Sequence, residues 1–246
     1  MSLAITTLAQ AAPSGAAVHE AAWIATASTG LDQRALATLA RINSLDRRLL
    51  ALRAYLRAGD TLQERWSWSQ QQLAAYPATP EGMAAAADID AVEQAFARAN
   101  PGFAAQANRA PRSLEQQLEH WNQSSAVASV GLKLAAAMSS QFPGQATPTA
   151  DRLRAALMAW VPPSAAPLAA PGLSAHGQGR AFDFQIVHDA RPVAGFDAAS
   201  ARREWDAAGW TRKLHAAVIA SGKPFSGPLE SPYEPWHYAY LPARGR

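Results

Sequence analysis

The stretch Ser174-Ala175-His176-Gly177-Gln178-Gly179-Arg180-Ala181-Phe182-Asp183, taken with Glu234-Pro235-Trp236-His237, decides how this chain is read. The two segments together supply two imidazoles and two carboxylates. A catalytic zinc takes three protein ligands and leaves a fourth position open. A nearby carboxylate that does not bind the ion can then accept a proton from water. This inventory assigns His176, Asp183 and His237 as ligands and Glu234 as the base.

The surrounding residues carry a pattern of their own. Arg180 to Val187 reads as a strand, with Phe182, Phe184 and Ile186 on one face and Ala181, Asp183 and Gln185 on the other. Such period-2 alternation is expected of a sheet with one face in the core. Asp183 then points away from the aromatic face, and small Ala181 leaves room beside it for an ion. Gly177 and Gly179 give the approach enough backbone freedom to bring His176 back toward Asp183.

Glu234 and His237 are three apart and would face opposite ways on a regular strand. Pro224, Pro228, Pro232 and Pro235 make the approach irregular, and Pro235 suits the first position of a strand. Trp236, Tyr238 and Tyr240 then share one face, with His237 and Ala239 on the other. Glu234 reaches the metal face from the bend before the strand.

Other chemistries are excluded by what is missing. There is no H-E-x-x-H, no cysteine and no G-x-S-x-G in the sequence, which removes a helix-borne zinc site, thiolate chemistry and a serine nucleophile elbow. His19, His120, His188 and His215 lack a comparable setting and read as ordinary surface or core histidines.

The first segment fits S-x-H-x-x-G-x-A-x-D and the second fits E-x-W-H. In this pairing the chain resembles the zinc D-alanyl-D-alanine peptidases, whose superfamily also holds lysostaphin-type endopeptidases and the hedgehog signalling domain. The likeness is strongest from about Pro101 to Tyr240. It implies Zn²⁺ as cofactor, a small antiparallel sheet flanked by helices, and a peptidoglycan stem peptide or its precursor as substrate. Ser174 would be a second-shell or substrate-contacting hydroxyl. In the family an arginine in a segment Y-R-S-x-x-x-Q holds the terminal carboxylate. Pro111-Arg112-Ser113-Leu114-Glu115-Gln116-Gln117 matches all but the aromatic. Arg112 is therefore the candidate clamp, with Arg109 as its rival, and Ser113 is expected to cap a helix starting at Leu114.

The implied activity is a D-alanyl-D-alanine carboxypeptidase. An L-alanyl-D-glutamate endopeptidase of the endolysin kind is the close alternative, and it would not need the clamp. A non-catalytic, zinc-containing recognition domain is the alternative from another class. A purely structural zinc is disfavoured, because such sites fill all four positions with protein ligands and favour cysteine.

The whole chain has 246 residues, of which 49% are hydrophobic and 17% charged, with a formal charge of +3 and a pI near 9.5. Lysine occurs only as Lys133, Lys213 and Lys223. This mild, scattered basicity favours an anionic cell wall over nucleic acid, and no run is long enough to cross a membrane. The segment Met1 to Ala25 lacks a basic n-region and a clean hydrophobic core. A cell-envelope, periplasmic or secreted location is expected, through a processed form or another export route.

The expected fold class is α+β, with residues 1–100 as a helical N-terminal extension and residues 101–246 as the zinc peptidase domain. Apolar positions recur at helical spacing from Leu36 to Leu56. Further helices are expected over Thr61–Tyr76, Ile89–Ala99, Leu114–Asn122, Ala150–Trp160, Ala198–Ala208 and Trp210–Ser221. A strand is expected over Gly102–Asn108, and a proline-rich linker over Val161–Gly172.

Overall fold

The computed structural model describes residues 15–144, 146–163 and 168–242. The opening of the apolar N-terminal segment and part of the proline-rich linker lie outside these residues. The fold is α+β: a small antiparallel sheet with helices around it. No described helix is long and apolar enough to cross a membrane.

The sheet has the order β1-β2-β5-β4, formed by β1 (Phe103–Ala107), β2 (Ala181–His188), β4 (Phe225–Ser226) and β5 (His237–Tyr240). The two-residue β3 (Arg191–Pro192) pairs with the far end of β2. Alternation along β2 and β5 holds as the sequence suggests. Phe182, Phe184, Ile186, Trp236, Tyr238 and Tyr240 are buried, whereas Asp183, Gln185, His237 and Ala239 are less covered. The buried face packs on α5 (Pro80–Ala99) and α10 (Trp210–Ser221), through Ile89, Val92, Phe96, Leu214 and Val218. Each large side chain so covered contributes about 1.5–3 kcal/mol.

A second core is mainly helical. It joins α1 (Gly15–Ala27), α2 (Gln33–Ala40) and α3 (Leu45–Ala58) to α6 (Leu114–Gln123), α7 (Ser125–Gln141) and α8 (Ala150–Ala159). Leu49, Leu52 and Tyr55 meet Trp121, Val127, Leu134, Leu153 and Leu157 there. Neither core respects a boundary at residue 100. Helices α1–α3 share a core with α6–α8, while α5, also from the first hundred residues, covers the sheet.

Several elements differ from the sequence expectation. The apolar run from Leu36 to Leu56 is two helices, broken before Ser44, the N-cap of α3. No continuous helix spans Thr61–Tyr76. Its centre is drawn into backbone pairing with Gly172 and Gly177, leaving only the short α4 (Gln70–Ala75). Helix α5 begins nine residues before Ile89, at Pro80. That proline occupies the first turn after the Thr79 cap, where a missing N–H costs nothing. The stretch Ala198–Ala208 is a short α9 (Ala198–Ser200) that widens into a π-helical turn, Ala201–Asp206. Helix α7 was not anticipated.

Candidate metal centre

Strand pairing creates the centre. Asp183 on β2 lies directly opposite His237 on β5. The ladder bonds flank this pair: Phe184 N–H donates to Trp236 O, and Tyr240 N–H donates to Arg180 O. It is therefore a non-hydrogen-bonded pair, the type whose side chains stand closest. His176 arrives from a helical turn, Ala175–Gln178, that ends at Gly179 with φ +60°. A side chain at Gly179 would be strained there and would meet the Tyr76 hydroxyl at 2.7 Å. Gly177 is required for a different reason: a Cβ on it would stand 2.1 Å from Ser67 Oγ.

His176, Asp183 and His237 each turn one donor atom inward, all within 4.8 Å of one another. His237 Nδ1 lies 3.0 Å from Asp183 Oδ1 and 3.2 Å from His176 Nε2, and His176 Nε2 lies 3.6 Å from Asp183 Oδ2. Three vertices of a tetrahedron around an ion with ~2.1 Å bonds are separated by roughly 3.4 Å, so the donor set fits such an ion. One proton on His237 Nδ1 cannot serve both the carboxylate and the His176 nitrogen. The three groups therefore form a cluster whose donor atoms could hold a shared cation.

Glu234 sits beside the triad without joining it. Its Oε2 is 3.6 Å from His237 Nδ1, and it is not among the converging donors. Its backbone is set by Glu234 N–H donating to Leu229 O and His237 N–H donating to Glu234 O. The position is the bend before β5 expected from the sequence.

Electrostatics separate the two carboxyls. Burial alone would raise Asp183, but the His237 hydrogen bond, the two imidazoles and Arg112 outweigh it and hold Asp183 below the usual carboxylate range. Glu234 goes the other way: burial, reinforced by the Asp183 charge, pushes it up against the pull of His237 and Arg112. His176 is lowered to about 4, chiefly by burial and further by Arg112 and His237, so it is neutral and able to ligate at neutral pH. An aspartate held ionised beside a glutamate that takes protons more readily is an arrangement that suits a ligand and a base.

Arg112 is brought in by β1. The β1–β2 ladder continues to Asn108 N–H, which donates to Asp183 O, and Arg112 N–H donates to His176 O. One guanidinium nitrogen of Arg112 lies 3.4 Å from Asp183 Oδ2, and its side chain is 28% exposed, the most open of the group. The rival Arg109 is committed elsewhere, at 2.6 Å from both Asp90 and Glu93 on α5. Ser113 caps α6 reciprocally with Gln116, as expected. Ser174 is buried just before the His176 turn, and its hydroxyl does not cap that turn.

Gln117 and residues 64–68 have no role in the expectations from sequence, yet they hold the site together. Gln117 is buried; its Nε2 donates to Arg112 O and Ser67 Oγ, and its Oε1 accepts from Gly172 N–H. Ser67 N–H donates to Gly172 O and Trp68 N–H donates to Gly177 O. Gln178 Nε2 donates to Glu64 O and Trp66 O. The only sequence signal was the place of Gln117 in R-S-x-x-x-Q; residues 64–68 offered none. His19, His120, His188 and His215 stand outside the triad. No protein-family model matches the chain, and neither does any curated protein or any solved structure.

Proposed function

We propose that this protein is a zinc-dependent peptidase acting on peptidoglycan stem peptides or their precursors, as a D-alanyl-D-alanine carboxypeptidase. The observation that carries the reading is the convergence of His176, Asp183 and His237 at tetrahedral spacing with Glu234 beside them and unbound. The paired motifs support it through their resemblance to the zinc D-alanyl-D-alanine peptidases. The donor set of two imidazoles and one carboxylate, with no thiolate, suits zinc with an open position. Bound zinc supplies Lewis acidity toward a scissile carbonyl and toward water near neutral pH.

The remaining work falls to side chains. Glu234 accepts the proton of the attacking water and returns it to the departing amine nitrogen. Such positioned transfer is worth about 10²–10⁴-fold in rate. Arg112 directs its exposed guanidinium edge to the terminal carboxylate, which its fork can hold with two hydrogen bonds. Two carboxylates and one guanidinium leave the site one negative charge; a divalent ion reverses it to one positive charge, which favours an anionic peptide end.

A second reading, cleavage of the internal L-alanyl-D-glutamate bond, is favoured by one observation. Arg112 already faces Asp183 at 3.4 Å, and an endopeptidase needs no free clamp. Incubating the zinc-loaded protein with a stem pentapeptide whose N-terminal alanine is linked to N-acetylmuramic acid, and weighing the products, separates these readings. Loss of one alanine supports the carboxypeptidase, and a larger fragment supports the endopeptidase. An intact peptide bound without turnover would replace both with a recognition function.

A further inference from the structure

Among the described residues no hydrogen bond fixes the Glu234 carboxylate, and its Oε2 lies 3.6 Å from His237 Nδ1. Its aim therefore depends on how the segment between β4 and β5 is held. Among the described residues, one hydrogen bond ties residues 227–235 to anything beyond this hairpin: Tyr233 O–H donates to Asp206 Oδ1 at 2.6 Å. The same oxygen accepts from Thr211 Oγ1 at 2.6 Å, which fixes the carboxylate from the first turn of α10. Two residues past Glu234, Trp236 packs on Trp205 with ring centroids 5.7 Å apart. Consecutive residues of the π-helical turn, Trp205 and Asp206, thus grip the chain on both sides of Glu234. A hollow of about 610 Å³ lined by Asp206, Thr211, His215 and Pro228 adjoins the segment, so close packing does not replace the hydrogen bond there.

We infer that the π-helical turn Ala201–Asp206 is the positioning device for the catalytic base, with Asp206 and Tyr233 as positioning residues acting through Glu234. A π-turn inserts one extra residue into a helix, and such turns are frequent at functional sites. Here the insertion places an aromatic core residue and a surface carboxylate side by side, each with a partner flanking Glu234. Tyr233 is partly exposed, so its removal leaves no buried group unpaired. The inference rests on the peptidase reading of Glu234, but its physical part does not.

The test uses the zinc-loaded full chain carrying Tyr233→Phe, with Asp206→Asn as the second variant. Losing one charge-assisted hydrogen bond is worth about tenfold. Amide exchange over residues 229–234 should quicken by about that factor, and kcat should fall similarly while KM and zinc content hold. In a Glu234→Gln background, Tyr233→Phe should lower kcat no further, because the latch acts through the base. Unchanged exchange in Tyr233→Phe, or an equal loss of kcat with and without Glu234, overturns the inference. A wild-type protein that cleaves nothing instead removes the peptidase reading, and the exchange measurement still judges the latch.

Discussion

The two carboxyls beside His237 Nδ1 are pushed in opposite directions by their surroundings. Asp183 is surrounded by two imidazoles and Arg112 and stays ionised, whereas Glu234 is buried with a weaker counter-charge and is raised. Glu234→Gln should therefore keep zinc while turnover falls by at least about two orders of magnitude, read by metal analysis alongside peptide hydrolysis. His176→Ala or Asp183→Ala should lose both. His176 also makes a pH prediction for the metal-free protein. Its folded pKa, about 4, lies below the unfolded value of 6.5, so between these limits the unfolded chain binds more protons. Its contribution to stability is complete above pH 6.5 and is lost as pH falls toward 4. The His176 share of the pH dependence, about 2 kcal/mol between pH 7 and pH 5, should appear in urea unfolding as a steeper loss for the wild type than for His176→Gln.

At the scale of elements, the site is a strand pair, a glycine-hinged turn and a capped helix. The strand pair and the cap were legible because alternation and capping are local: Phe182, Phe184 and Ile186 give away β2, and Ser113 gives away the start of α6. What was illegible depended on distant partners. Thr61–Tyr76 has helical composition, but Ser67 and Trp68 spend their backbone N–H groups on Gly172 and Gly177 instead. Helix α5 was shortened in the reading because Pro80 looks like a stop until Thr79 is seen as its cap. Gln117→Leu tests the supporting shell. It strands the Gly172 N–H and the Arg112 carbonyl, and should weaken zinc affinity about 10–100-fold without touching a ligand. Titration against a competing chelator reads that loss.

For the molecule as a whole, the chain order conceals how its two cores interleave. A boundary at residue 100 is natural in the sequence, where alanine-rich helices give way to the motifs. Packing does not follow it. Removing residues 1–100 would strip α3 from Trp121, Leu134 and Leu157, strip α5 from the sheet, and remove Ser67 and Trp68 from the His176 loop. The fragment 101–246 should accordingly show no cooperative melt and no stoichiometric zinc, in calorimetry and metal analysis. The first hundred residues are then part of the candidate site's foundation. The most direct measurement is an anomalous difference map at the zinc edge, from crystals of the full chain grown with zinc. The expected result is one peak about 2.1 Å from His176 Nε2, an Asp183 oxygen and His237 Nδ1, with Glu234 beyond bonding distance. No peak between these three atoms, or Glu234 bound as a fourth ligand, would contradict it.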